Sequence, residues 1–104
     1  MRMAKTSGDY LFQAFRRGRL KEDLVIKGRV LGPPEAEPYL VPEFEARPKN
    51  RGFRLAFRNN SDRLPFVIHE FEQVIPKVPD FVDFLRIHLP NEEIFTIDRA
   101  RRPR

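Results

Sequence analysis

The sequence contains no cysteine, and its apolar runs, such as Pro65 to Ile68, are only a few residues long. Without cysteine the chain can form neither a disulfide framework nor a thiolate metal site, so a reducing, cytoplasmic location is the default expectation. A helix that spans a bilayer needs about 20 consecutive apolar residues. The sequence therefore predicts no membrane span.

Few residues in this chain could carry catalytic chemistry. Four hydroxyl groups are candidates for a nucleophile, and none lies in a Gly-x-Ser-x-Gly turn: Thr6, Ser7, Ser61 and Thr96. Ser7 and Ser61 are better explained as a helix cap and a turn residue. The five glycines are isolated, so there is no phosphate-binding loop and we expect no nucleotide cofactor. The sequence favours a protein that is not an enzyme.

Two histidines are the only candidates for a metal site. His69 and His88, with the carboxylates of Glu70 and Glu72, offer imidazole and oxygen ligands, but their spacing is not typical of metal binding. In a strand, His69 and Glu70 would point to opposite faces. We interpret both histidines as partly buried, hydrogen-bonded side chains, and we expect neither a metal nor another cofactor.

Length and composition predict a single domain over residues 1–104. Apolar residues make up 40% of the chain and include ten phenylalanines, enough for a core that removes roughly two thirds of the unfolded surface from water. Residues 1–6 and 99–104 are interpreted as flexible basic ends. The basic start is not followed by an apolar segment, so we expect no secretory signal, although residues 1–20 can also be drawn as an amphipathic mitochondrial presequence.

The first element predicted is a short helix. Ser7 or Asp9 could cap it, Leu11 and Phe15 have the i, i+4 spacing of a helical face, and Gly18 would end it. On this hypothesis Phe12 and Phe15 pack in the core, while the arginines near Gly18 complement the dipole at the helix C-terminus.

Short strands are predicted after this helix. Residues 23–31 are rich in Val, Ile and Leu, and residues 39–46 contain Pro42, which indicates a sheet edge or a bulge. In residues 53–58 phenylalanine and leucine alternate with arginine and alanine, which is the period of two of a strand with one buried face. Residues 59–62 form a turn cluster.

The pattern is ambiguous between residues 62 and 89. Residues 64–71 fit the second arm of a hairpin with 53–58, but their apolar spacing also fits a helical face. Residues 84–89 and 94–98 fit a closing hairpin. The fold class we expect is mainly β, a small antiparallel barrel or sandwich of about five or six short strands with the N-terminal helix. The alternative is an α+β fold with a helix within 62–75 or 80–89.

The net charge of +5 divides into blocks of opposite sign. Residues 1–34 carry +5, 35–46 carry −4, 47–61 carry +5, 62–98 carry −5 and 99–104 carry +4. Arginine, which outnumbers lysine, has a planar fork that suits phosphate and carboxylate alike. Charge segregated in this way is typical of a surface that binds a charged partner.

The basic blocks predict a nucleic-acid-associated protein that binds the phosphate backbone without base specificity. The central block is the primary site, because alternation places two of its arginines on the solvent face of a strand, and the N-terminal block is a second contact. The predicted binding residues are Arg47, Lys49, Arg51, Arg54, Arg58, Arg16, Arg17 and Arg19. Bases would have to stack on Tyr10, Phe12, Phe15 or Tyr39, because Phe53 and Phe57 point away from the arginines.

The alternative function is a protein–protein interaction module, an assembly component or an inhibitor of another macromolecule. Alternating acidic and basic patches would set the register of such a contact, and the sheet edge at Pro42 could accept another strand. On this hypothesis the partner is a protein, and a homo-oligomer is one form that it could take.

Overall fold

The computed structural model describes residues 10–20, 22–43, 47, 49–79, 81–82 and 84–98. These ranges contain seven strands and no helix, and therefore no helix that could cross a membrane. The strands are β1 (Tyr10–Arg17), β2 (Asp23–Gly32), β3 (Glu37–Glu43), β4 (Asn50–Arg58), β5 (Val67–Ile75), β6 (Phe84–His88) and β7 (Ile94–Asp98).

The strands form two sheets that pack face to face. Sheet A has the order β1-β2-β5 and is antiparallel throughout. Sheet B has the order β3-β4-β6-β7, in which β4 and β6 are parallel and the other two pairs are antiparallel. The mainly β prediction is confirmed. The count of five or six strands is corrected to seven, and the sheets form a sandwich with no closed barrel. The expectation that all strands are antiparallel is wrong for β4 and β6, which are parallel.

The core lies between the sheets because alternate residues of each strand point inward. Phe12 of sheet A is fully buried, and its ring meets that of Phe95 of sheet B edge to face at 5.2 Å between centroids. Every strand except β5 supplies fully or nearly fully buried apolar residues: Phe12, Leu24, Ile26, Val30, Leu40, Phe53, Leu55, Leu85, Ile87, Phe95 and Ile97. Burial of each such side chain contributes about 1.5–3 kcal/mol, so these contacts dominate the stability.

Gly28, in the middle of β2, makes room for two aromatic rings of the core. A Cβ atom at this position would lie 2.4 Å from Cε1 of Phe71 and 3.0 Å from Cδ1 of Phe12. Both distances are shorter than ordinary van der Waals contact, so a side chain would displace the rings. The glycine therefore serves packing across the sheet and not a turn.

The connections gather at two opposite ends of the sandwich. Odd-numbered strands run toward one end, which we name the turn end, and it contains the connections 18–22, 44–49 and 76–83. Even-numbered strands run toward the other, the loop end, which contains the connections 33–36, 59–66 and 89–93. A nine-residue strand such as β4 spans about 30 Å, so the two ends are separate surfaces.

The N-terminal helix predicted from residue 7 or 9 to Gly18 is wrong where the structure describes it, because residues 10–17 form β1. Residues i and i+4 share a face in a strand as well as in a helix. Leu11 and Phe15 accordingly both lie on the outer face of sheet A, and Phe15 is not in the core. Pairing of all eight residues of β1 with β2 decides the conformation. Ser7 and Asp9 lie outside the described residues.

The regular secondary structure within residues 64–89 consists of β5 and β6. The alternative of a helix within 62–75 or 80–89 is therefore wrong within the described residues. The hairpin proposed between β4 and residues 64–71 is also wrong. Both sides of β4 are occupied by β3 and β6, and β5 crosses to sheet A, where it pairs with β2. The closing hairpin of β6 and β7 is confirmed.

Candidate nucleic-acid interface

The predicted alternation of β4 is confirmed. Phe53 is buried and Phe57 is half-buried on the inner face, whereas Arg54 and Arg58 are exposed on the outer face of sheet B. The two arginines therefore share a solvent face because of strand geometry alone.

Acidic residues of β3 accompany these arginines across the sheet. Arg54 Nε lies 3.6 Å from Glu43 Oε2, and Arg58 lies directly opposite Glu37 in the register of the two strands. The antiparallel pairing of β3 with β4 places the acidic block beside the central basic block. The outer face of sheet B is therefore of mixed charge and not a uniformly basic surface.

Arg58 also lies far from the rest of the predicted central site. Eight residue steps separate it from Asn50, or about 26 Å along the strand. Its guanidinium carbon lies 4.8 Å from the centroid of the Tyr39 ring, a cation–π contact at the loop end of the face. The structure therefore separates Arg58 from Arg47 and Lys49.

The remaining central residues lie at the turn end. Arg47 and Lys49 are exposed in the connection between β3 and β4. Arg51 is half-buried at the start of β4, where its Nη1 donates to the carbonyl oxygen of Asn50 at 3.1 Å. Arg54 lies between this group and Arg58.

The N-terminal basic block divides according to strand alternation. Arg16 turns inward, and its guanidinium donates to the carbonyl oxygens of Val78 and, at 2.6 Å, Pro79. Arg17 and Arg19 are exposed. Arg16 is therefore a structural residue that holds two parts of the chain together. The suggestion that these arginines complement a helix dipole is wrong, because there is no helix here.

The connector between β5 and β6, residues 76–83, links the two basic turns. The backbone N–H of Val78 donates to the carbonyl oxygen of Glu22 at 2.8 Å, beside the β1–β2 turn. At its other end the N–H of Phe84 donates to the carbonyl oxygen of Lys49 at 3.1 Å, in the β3–β4 connection. Val78 and Val82 are buried and anchor the connector in the core. The structure thus brings Arg17 and Arg19 to the same end as Arg47 and Lys49.

The sequence prediction missed two cationic residues of this region. Lys77 is exposed in the connector, with a backbone φ of 57°. Arg86 is half-buried in β6, on the outer face of sheet B, in register with Gly52. Both belong to residues 62–98, whose net charge is negative, so the charge blocks did not indicate them as part of a basic site. The alternation of Leu85, Arg86 and Ile87 was the available signal for Arg86.

Only some of the aromatic rings proposed for base stacking are accessible. Phe12 is fully buried and cannot stack, so that candidate is wrong. Phe15 is exposed on the outer face of sheet A, where Lys27 Nζ lies 5.7 Å from its ring centroid. Tyr39 is half-buried beneath Arg58, and Tyr10 is half-buried at the start of β1.

The two histidines lie in different sheets. His69 is half-buried on β5 and its Nε2 lies 2.7 Å from the carbonyl oxygen of Pro33, whereas Glu70 next to it is exposed, as the strand alternation predicted. His88 lies on the outer face of sheet B, opposite Arg54. Among the described residues no three histidine or acidic side chains are grouped closely enough to hold a metal ion.

An open groove of about 610 Å³ runs over the outer face of sheet A. Its lining is charge-paired, because Lys27 Nζ lies 3.9 Å from Glu72 Oε2 and Arg29 Nε lies 3.3 Å from Glu70 Oε2. These cations are already matched by carboxylates, so the groove offers no excess positive charge for a phosphate.

The β3 edge of sheet B is closed to another strand. Leu40 N–H donates to Gln73 Oε1 at 2.9 Å, and the Leu40 carbonyl accepts from Gln73 Nε2 at 3.0 Å. The neighbouring residues that point the same way are Pro38 and Pro42, which have no N–H. No outward N–H of β3 is left for pairing, so strand addition at the Pro42 edge is disfavoured.

Comparison of the chain with protein-family models, curated proteins and solved structures finds no significant match in any of the three. Functional inference therefore depends on the geometry of the chain itself.

Proposed function

We propose that this protein binds the phosphate backbone of nucleic acid through its turn end. The observation that carries the proposal is the pair of backbone hydrogen bonds by which the 76–83 connector holds both basic turns, at Glu22 and at Lys49. Two blocks of cations that are about thirty residues apart in sequence are thereby presented on one surface. Such a surface supports backbone contact without base readout.

The binding residues differ from the sequence prediction in two places. Arg16 is removed, because it turns inward and its Nη1 and Nη2 donate to backbone carbonyls, and Arg58 is removed, because it lies at the loop end. The binding set is Arg17, Arg19, Arg47, Lys49 and Arg51, with Arg54 as the nearest residue on the outer face of sheet B. The Arg54–Glu43 pair is exposed, and exposed pairs contribute little, so a phosphate can compete for Arg54.

A salt titration measures the number of contacts. Five phosphate contacts on a duplex predict a log–log slope of binding constant against salt of roughly −4 to −5, at about 0.9 per contact. The same five contacts on a single strand predict roughly −3.5. The binding should be insensitive to base sequence. Fluorescence anisotropy with labelled duplex and single-stranded oligonucleotides at several salt concentrations gives these slopes.

Variants at each turn test whether the two turns act together. Arg19→Gln and Lys49→Gln should each weaken binding and reduce the slope by about 1, and the double variant by about 2. Arg63→Gln is the matched control, because Arg63 is an exposed cation at the loop end. Binding no tighter than millimolar at low salt, or an equal effect of Arg63→Gln, would refute the proposal.

A second candidate function is the protein-interaction module, and a different observation favours it. The apolar segment Leu64, Phe66, Val67 and Ile68 is exposed at the loop end. Contiguous exposed apolar side chains are typical of a surface that another macromolecule covers. This surface is distant from the basic turns, so it is independent of phosphate binding.

A further inference from the structure

Among the described residues, the large exposed apolar side chains lie at the two ends of the sandwich or at strand positions next to them. Ten large apolar side chains are exposed among the described residues, and they divide equally between the ends. The turn end and the strand positions next to it carry Phe15, Leu20, Val74, Phe81 and Phe84, and the loop end carries Leu64, Phe66, Val67, Ile68 and Ile94. Leu20 and Leu64 are both 73% exposed, so each end presents side chains that are largely in water.

Among the side chains that the structure describes, the two ends carry net charges of opposite sign. At the loop end five carboxylates face two cations: Glu35, Glu37, Asp62, Glu92 and Glu93, with Arg58 and Arg63. At the turn end six described cations, of which Arg51 is half-buried, face three described carboxylates: Arg17, Arg19, Arg47, Lys49, Arg51 and Lys77, with Glu22, Asp23 and Glu43.

We infer that the loop end of one copy of this chain docks on the turn end of a second copy. Both surfaces are apolar, and their charges are complementary. Contact between them would remove exposed phenylalanine and leucine from water and pair the excess carboxylates of one copy with the arginines of the next. A contact between two different surfaces of the same chain is head-to-tail, so it builds rings or filaments.

The charges disfavour the symmetric arrangements. Contact between two loop ends would oppose net negative surfaces, and contact between two turn ends would oppose net positive ones. Side-by-side growth through the β3 edge is also disfavoured, because Pro38, Pro42 and the Gln73 contact leave that edge without outward N–H groups. The head-to-tail contact is the one in which both the apolar and the charged groups match.

Two variants break the contact from opposite sides. The loop-end variant is Phe66→Ser with Ile68→Thr, and the turn-end variant is Leu20→Ser with Phe81→Ser. All four residues are exposed, Phe81 at 53% and Ile68 at 49%, so the fold should tolerate the changes, which a thermal melt verifies. Each variant should weaken self-association at least about tenfold, whereas Thr96→Ala, on the outer face of sheet B, should not.

Mixing the two variants distinguishes a head-to-tail contact from a symmetric one. Each variant alone should be monomeric in sedimentation velocity. A 1:1 mixture should form a dimer and nothing larger, because the intact turn end of one variant meets the intact loop end of the other. A mixture that stays monomeric while the wild-type protein associates, or a wild-type protein that is monomeric at about 0.5 mM, would overturn the inference.

The same variants separate this inference from the proposed function. The loop-end variant keeps every turn-end cation and frees these cations from a second copy. It should therefore bind oligonucleotide as a monomer, at least as tightly as the wild-type protein, with the slope of roughly −4 to −5 expected for about five duplex contacts. Oligonucleotide binding by a protein that never self-associates refutes only the head-to-tail contact. Self-association without oligonucleotide binding refutes only the nucleic-acid proposal.

Discussion

The turn end and the loop end carry similar numbers of exposed apolar residues, but they are held in different ways. At the turn end, the buried Val78 and Val82 and the inward Arg16 tie the connector to both basic turns. At the loop end Ala36 and Leu89 are also buried, but the side-chain contacts beside the exposed apolar segment are nearer the surface: His69 with the carbonyl of Pro33, and Arg63 with Glu35. Buried groups of the connector therefore hold the two basic turns in position, whereas the exposed apolar side chains of the loop end depend little on the core.

Removing the Arg16 anchor should have the largest effect on stability, because Arg16 ties the connector to β1. Arg16→Leu leaves the part-buried carbonyls of Val78 and Pro79 without their charged donor and should lower the free energy of unfolding by about 2–3 kcal/mol. Urea denaturation followed by circular dichroism measures it. Arg17→Leu is the control on the opposite face of the same strand, and its effect should stay within about 0.5 kcal/mol. Equal losses of unfolding free energy in the two variants would show that Arg16 does not anchor the turn end.

The second largest effect is expected where the connector enters the core. Val82→Ala removes two methyl groups from a fully buried site and should cost about 2 kcal/mol. Val67→Ala makes the same chemical change at the loop end, where the side chain is exposed, and should cost less than about 1 kcal/mol. The shifts in the urea denaturation midpoint of the two variants, at an unchanged m-value, measure the two losses of stability. A larger loss for Val67→Ala would reverse the ranking of the two ends.

A smaller effect should appear at the β3 edge, on the long side of the sandwich, which belongs to neither end. Gln73→Ala removes both hydrogen bonds to Leu40 and should cost about 1 kcal/mol. It should also expose the Leu40 N–H to a strand of another molecule. The rate of aggregation at a given protein concentration, measured by light scattering, should therefore increase. Glu72→Ala, on the outer face of the same strand, should do neither. An aggregation rate unchanged by Gln73→Ala would mean that the β3 edge is closed by its prolines alone.

The smallest effect is expected at the loop-end ion pair. Arg63→Gln and Glu35→Gln remove an exposed pair, and a double-mutant cycle should give a coupling of at most about 0.5 kcal/mol, which high salt reduces further. Thermal unfolding at low and high salt checks it. A coupling above about 1 kcal/mol would show that the loop end is held as firmly as the turn end.

The candidate site was predictable from the sequence only in part. Exposure of Arg54 and Arg58 followed from alternation with Phe53 and Phe57, because side-chain direction in a strand is a local property. The inward turn of Arg16 was not predicted, since residues 10–17 satisfy the spacing of a helix and of a strand equally. Contact of Glu43 with Arg54 required knowledge that β3 pairs with β4 and in which register.

The sequence by itself determined the mainly β character, the strand at 53–58 and the turn cluster at 59–62, and it limited the segment with Pro42 to a sheet edge or a bulge. These features follow from period, proline and turn chemistry, which act within a few residues. Tertiary structure alone decided that β5 pairs with β2 and not with β4, that β4 and β6 are parallel, and that the connector brings the two basic turns together. Those outcomes depend on contacts between residues that are distant in sequence, which local patterns do not encode.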